Sequence, residues 1–278
     1  MSENLEIRIE DKREGETSFS SLYPVKRERK GKKVGHAGTL DKFASGLMIV
    51  LVGNATKLNP VFSSFSKSYR ATLCFGKETD TLDPEGNVVA RSGVPTLSDI
   101  ERTIPLFIGK QMQRPPLYSA LHVNGRRAYE IARSGENVDM KEREIEIYSI
   151  SLLSYDPPYL VLDLEVSKGT YIRSFARDFA SSMGVSAYLS ALRRLTIGPY
   201  DLGDVGKDTM SLLEKSGLFS ILTLDEKYRK LIENGTLERS FVTSDTDEGK
   251  RYKIACLEDE PFQIIYDDGR KLKGIARF

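Results

Sequence analysis

The chain has 278 residues, 40% hydrophobic and 29% charged, with a net charge of +1. That length holds one large domain, or a core domain with a small appendage, and the balance excludes a disordered or fibrous protein. No apolar run approaches the length of a membrane-spanning helix, and the acidic opening Met1-Ser2-Glu3-Asn4-Leu5-Glu6 is not a secretory signal.

In chain order, Leu47–Val52 reads as a buried strand, followed by strands at Tyr69–Phe75 and Asn87–Ala90. A helix is expected over Ser98–Phe107, with Ser98 as cap and Glu101 completing a capping box. Another is expected at Arg126–Ser134, stopping before Gly135. Strands Glu144–Leu153 and Tyr159–Val166 are joined tightly through Pro157-Pro158. A third helix spans Thr170–Met183, with Ile172, Phe175, Ala176 and Phe179 on one face and Gly184 as its stop. Ile197–Asp204 closes the first region. A helix at Asp225–Glu233 then precedes short strands Tyr252–Leu257 and Phe262–Tyr266, with a turn at Asp267-Asp268-Gly269. Strands and helices interleave without the alternation of a parallel α/β sheet. The expected class is therefore α+β, with a mixed, mainly antiparallel central sheet and flanking helices. Residues 1–209 form the main domain in this reading, and 210–278 a small β-rich module.

Charge and cysteines add two further bounds. Residues 201–278 hold 13 basic and 16 acidic side chains, so the first 200 carry 28 against 24. Within the latter, Lys26–Lys33 is strongly basic and stands just before a glycine-rich turn. Such a run is commonly a solvated face, but it also suits contact with phosphates. Cys74 and Cys256 lie far apart in apolar runs, which fits buried reduced thiols in a cytosolic protein. With only two histidines and two cysteines, no cluster has zinc-ligand spacing, and no metal is expected.

The most informative stretch is Val34–Gly53. It carries one carboxylate, Asp41, and one histidine, His36, among small residues, and feeds directly into the strand at Leu47. Gly35, Gly38 and Gly46 are expected to let the backbone bend and approach a ligand. A lone aspartate in a turn is usually structural, because it caps helices and makes Asx-turns.

The sequence Gly35-His36-Ala37-Gly38-Thr39-Leu40-Asp41, with Ala44, Gly46 and Leu47 after it, resembles the catalytic motif of the TruB-type pseudouridine synthases. Four more motifs resemble that family in the same order. They are Asp11-Lys12-Arg13-Glu14-Gly15-Glu16-Thr17-Ser18, the tyrosine-bearing Lys67–Gly76, the segment Gln113–Arg133, and Ser167–Asp178 with Leu192-Arg193-Arg194 beyond it. The likeness covers roughly residues 8 to 205. Residues 210–278 loosely resemble the PUA-type RNA-binding module that often follows such a core. The family's first motif begins soon after Met1, so no large N-terminal RNA-binding domain is expected. Two residues depart from the family pattern: Arg13 stands where proline is usual, and His122 where lysine is common.

The resemblance implies a cofactor-free enzyme that flips the T-loop uridine of tRNA (uridine 55) out of the fold and isomerises it to pseudouridine. It acts on the tRNA T-arm as a monomer, with no protein partner. Asp41 becomes the catalytic carboxylate, as nucleophile or base. Arg173, otherwise an ordinary helix-surface residue, would pair with it through a planar fork. Tyr69, otherwise a core aromatic, would stack on the base and offer its hydroxyl for proton transfer. His36 would assist flipping, Leu192 would line the pocket, Lys12 would support the loop, and Arg193 and Arg194 would meet phosphates. A tRNA-binding factor without activity, or a synthase of the same fold acting on another RNA, are the rival readings. A pure binder has no need to keep Asp41, Tyr69 and Arg173 together.

Overall fold

In a computed structural model of the chain, residues 4–119, 121–123, 125–128, 131, 134, 140–234, 236–238, 251–257, 260–268 and 271–278 are described. In chain order the strands are β1 (Leu5–Lys12), β2 (Val34–Ala37), β3 (Ser45–Gly53), β4 (Lys67–Phe75), β5 (Lys77–Thr79), β6 (Val88–Arg91), β7 (Gly109–Gln113), β8 (His122–Val123) and β9 (Arg126–Arg127). They continue with β10 (Arg143–Asp156), β11 (Tyr159–Val166), β12 (Ala187–Ile197), β13 (Phe219–Leu224), β14 (Tyr252–Leu257), β15 (Glu260–Asp267) and β16 (Leu272–Arg277). The α-helices are α1 (Tyr23–Glu28), α2 (Asn59–Ser63), α3 (Leu97–Thr103), α4 (Ile172–Ser182), α5 (Thr209–Lys215) and α6 (Arg229–Glu233). The α+β class expected from sequence is the one observed. The chain divides into two compact units, one of Met1–Asp41, Gly46–Ser64 and Thr196–Phe278, the other of Lys42–Ser45 and Phe65–Leu195.

In the first unit β3 is the central strand. Its apolar run Leu47–Val52 is buried on both faces, as the absence of any polar alternation dictates. β1 pairs with it antiparallel, from Leu5 opposite Gly53 to Lys12 opposite Gly46. Leu5, Ile7 and Ile9 point inward while Glu6, Arg8 and Glu10 point out, the two-residue period of a strand with one wet face. β2 also runs antiparallel to β3, Val34 facing Val52 and Ala37 facing Ile49. The same unit carries a second sheet of order β13-β14-β15-β16. Its core joins Leu222, Leu224, Leu257, Ile265 and Leu272 of the strands to Ile232 of α6.

The second unit is built on the order β12-β4-β11-β10-β7. β4 and β11 run antiparallel, Lys67 opposite Val166 and Cys74 opposite Tyr159. β10 continues the meander on β11 and then on β7, Arg143 facing Gln113. The Pro157-Pro158 link between β10 and β11 is the tight connection expected, and its peptide bond is cis. On α4, all four expected apolar residues are buried, and Gly184 at φ +72° follows the helix end.

Several expectations shift by a few residues. α3 is capped by Thr96 and Asp99 rather than by Ser98 and Glu101: the Thr96 hydroxyl accepts from Asp99 N, and the Asp99 carboxylate accepts from Thr96 N. Tyr155 on β10 donates to Pro95 O at 2.6 Å and so fixes the chain one residue before that cap. The helix then tightens to a 3-10 turn at Ile104–Phe107, because Pro105 has no N–H to continue the α-helical ladder. The helix expected at Arg126–Ser134 falls largely outside the described residues, and its first two residues form β9 instead, paired with β8. The Asp225–Glu233 helix is a 3-10 turn at Glu226–Tyr228 followed by α6. Cys74 and Cys256 are free and buried. No helix among the described residues is long and apolar enough to cross a membrane.

Candidate active site

Asp41 is the last residue before the chain first passes from one unit to the other. It is half-buried, in the loop that joins β2 to β3. Gly38 and Gly46 flank it at φ +93° and +107°, values that a side chain strongly disfavours. Gly35 does not share this role: it lies in β2, and a Cβ there would meet only Thr56 Cγ2 at an ordinary 3.8 Å. The loop is held from the first motif. The buried Ser18 hydroxyl accepts from Leu40 N at 2.8 Å and donates to Leu40 O at 2.9 Å, so both peptide groups of Leu40, the second of them shared with Asp41, are pinned by one side chain.

Lys12 is 2% exposed at the end of β1, and its ammonium donates to Arg13 O at 2.9 Å and Glu16 O at 2.6 Å. It therefore closes the loop that delivers Ser18, whatever the flexibility of Arg13 in place of proline. His36 sits half-buried on β2 opposite Val50. The basic run ends at Lys33, with seven residues, among them the four of β2, between it and Asp41, and Gly53 N donates to Lys33 O at the far end of β3. Arg27, Arg29, Lys30 and Lys32 there line a cavity of about 850 Å³. Its walls also carry Glu6, Glu10 and Glu28, and Glu6 holds Arg29 at 2.6 Å.

In the second unit, Tyr69 is 8% exposed on β4, opposite Leu164 of β11. Arg194 on β12 is 1% exposed. Burial pushes its pKa down, against the charge and hydrogen-bond interaction with Tyr69. Its guanidinium thus interacts with Tyr69 and is not turned to solvent. Arg193 is half-buried and donates to Ser45 Oγ at 3.3 Å; Leu192 is buried on the same strand. Lys67, two residues before Tyr69, is 7% exposed and donates to Phe65 O at 2.6 Å. Burial, with Arg194 and Lys168 nearby, pushes its pKa down to about 8.

Arg173 lies in the first turn of α4 and is 4% exposed. Its guanidinium donates to Thr81 O at 3.0 Å, Tyr118 O at 2.9 Å and the Asp83 carboxylate at 3.2 Å. Asp83 in turn accepts from Thr81 Oγ1 at 2.6 Å and Glu85 N at 3.0 Å. Between them Leu82 takes φ +62°, a left-handed conformation that a branched side chain rarely adopts. Its carbonyl accepts from Leu189 N at 3.1 Å, which holds it there. Asp83, Lys67 and Ser18 were not singled out from sequence. Ser18 closes and Lys67 opens a family-like motif, and Asp83 stands as an acid within the turn-rich Asp80-Thr81-Leu82-Asp83-Pro84-Glu85-Gly86.

A model of the TruB family pseudouridylate synthase (N terminal domain) matches residues 26–172. The chain belongs to the TruB family. The proteins named tRNA pseudouridine synthase B from Borreliella burgdorferi (strain ZS7) and Aquifex aeolicus (strain VF5) are 42% and 35% identical to this TruB-family chain. The first alignment covers 81% of this chain and 83% of the relative, the second 95% and 94%. Among solved structures, a Cbf5-Nop10-Gar1 complex matches at TM-score 0.66 and 19% identity over 99% of this chain and 84% of that one. The archaeal box H/ACA sRNP Nop10-Cbf5 complex gives 0.67 at 17%, over 99% and 86%. At such identities the likeness establishes the pseudouridine synthase fold alone. Membership of the family makes the chain a pseudouridine synthase, an isomerase.

Proposed function

We propose that this synthase acts on tRNA, converting the T-loop uridine (uridine 55) to pseudouridine, with Asp41 as the essential carboxylate. The observation that carries the reading is the mounting of Asp41, between two left-handed glycines and beside a peptide pair clamped by Ser18. Relatives named for tRNA support the substrate class.

The reaction breaks the C1′–N1 glycosidic bond, rotates the uracil and joins C1′ to C5, while the hydrogen on C5 leaves and N1 gains a proton. No electrons or phosphoryl groups are transferred, so the chemistry calls for neither cofactor nor metal. Asp41 supplies the charge that the ribose or base needs as the bond breaks. Tyr69 stacks on the extruded base, with Arg194 behind its hydroxyl. Arg173 keeps the carboxylate ionised in a water-poor setting, and Leu192 helps to exclude water. His36 fills the place the base has left. Residues 210–278 serve as a PUA-like module meeting the tRNA away from the T-loop, and the protein works in the cytosol as a monomer without a protein partner.

Mapping pseudouridine in unmodified tRNA and rRNA transcripts incubated with the purified protein tests this directly. A single modified T-loop position is the expected result. Modification confined to rRNA would move the activity to another substrate, and no pseudouridine in any transcript would leave a binding factor.

A further inference from the structure

Single exposed apolar side chains are ordinary on a protein surface, whereas contiguous ones mark sites of contact. Phe19 and Tyr23 are such a pair. They are 59% and 52% exposed, and their rings meet edge to face with centroids 5.7 Å apart. The Lys26 ammonium stands 3.6 Å from the Phe19 centroid and 5.6 Å from that of Tyr23. That contact draws a cation and two π faces into one patch, and it fixes ring orientations that free side chains would not keep.

The patch has a defined address. Phe19 follows Ser18, whose hydroxyl grips both peptide groups of Leu40, and Leu40 precedes Asp41. With consecutive Cα atoms about 3.8 Å apart, the Cα atoms of Phe19 and Asp41 are no more than about 15 Å apart. Pro24 stands at the start of α1 and sets its φ in advance, so Tyr23 and Lys26 are presented from a fixed turn. Lys26 is itself the first residue of the basic run Lys26–Lys33, which supplies the sign of charge that a phosphate backbone seeks.

We infer that Phe19, Tyr23 and Lys26 form a stacking platform for an unpaired base of the RNA that flanks the uridine presented to Asp41. This rests on the functional reading above and adds a second point of contact to it. Aromatic faces accept any base, because each base has a π face, while the adjacent cation takes the phosphate. Extruding one base leaves its neighbours unstacked, and the platform offers one of them a surface to replace the lost one.

The test measures dissociation constants and single-turnover rates on tRNA for wild type, Phe19→Leu with Tyr23→Leu, and Lys26→Ala. It is combined with substrates made abasic at each nucleotide flanking the target. The leucine pair keeps apolar bulk without π faces, and both residues are largely exposed, so thermal unfolding should stay as in wild type. Binding should weaken by about 5- to 100-fold with an unchanged salt slope. Lys26→Ala should instead lower the salt slope by about one, with a loss that does not depend on which base is present. One abasic position should cost wild type as much as the leucine pair does, and cost that variant nothing further. A leucine pair that binds within twofold of wild type, or abasic losses that add fully at every position, overturns the platform. Wild type that makes no pseudouridine overturns the functional reading instead, so the two failures are told apart.

Discussion

Among the bonds of the Arg173 guanidinium are two to carbonyls and one to a carboxylate, all inside the protein. Three acceptors from separate segments suit a rigid fork with several donors and not an ammonium, which is compact and rotates. Arg173→Lys should therefore reduce the single-turnover rate severely, and a wild-type rate would remove the residue from the reaction. Its partner Asp83 is 6% exposed. Asp83→Ala leaves the buried arginine without that carboxylate, and urea unfolding should show a loss of about 3–5 kcal/mol; a change under 1 kcal/mol would make the pair incidental. Lys67 makes a pH prediction. Its pKa is held at about 8 in the fold against 10.5 when exposed, so the unfolded chain binds more protons between those values. Stability should then rise with pH across that window, by up to about 3 kcal/mol, relative to Lys67→Met. Below pH 8 both states carry the proton and the difference is constant. A variant that tracks wild type from pH 8 to 10 would contradict the assignment.

At the scale of elements, two family-like segments that are distant in sequence turn out to be one structural unit. Gln113 donates to Tyr171 O at 3.1 Å and accepts from Tyr171 N at 2.9 Å, and Ser174 donates to Arg114 O at 2.8 Å. With the Arg173 bond to Tyr118 O, these fasten the start of α4 to the Gln113–Tyr118 stretch. Gln113→Ala strands the Tyr171 peptide groups and should cost about 1–3 kcal/mol. It should also slow catalysis, because Arg173 loses its mounting; stability loss with an unchanged rate would separate the clamp from the chemistry. Such pairings are invisible in sequence, where nothing marks which carbonyl a glutamine will meet. The same holds for the strands that were missed. β12 hides behind inward-facing Arg194, and β1 ends on inward-facing Lys12, so a rule that reads charge as outward breaks the pattern at both. The Asp41 loop was legible because glycine and an apolar run punctuate it. Thr96 and Ser98 each have an acid three residues on, and only the tether of Pro95 to Tyr155 chooses between them.

For the molecule as a whole, the C-terminal region poses the sharpest question of partition. Leu212 and Leu213 of α5 are fully buried, and Tyr200 donates to Leu212 O at 2.7 Å, so α5 stays with the residues before it. The sheet that follows has a core of its own. A chain ending at Gly217 is therefore the better truncation. It should bind full-length tRNA more weakly while its affinity for a T-arm stem-loop and its single-turnover rate on bound RNA stay close to wild type. Equal losses on both RNAs would make residues 218–278 a structural support. The central claim is that Asp41 performs the chemistry and other residues supply the affinity. Because the uracil reattaches through C5, every turnover releases the hydrogen on that carbon. Single-turnover tritium release from tRNA labelled at uridine C5, measured for wild type and Asp41→Asn alongside filter binding, reads both halves of the claim. The account predicts no release above background from the variant and a dissociation constant within a few-fold of wild type; substantial release by Asp41→Asn would contradict it.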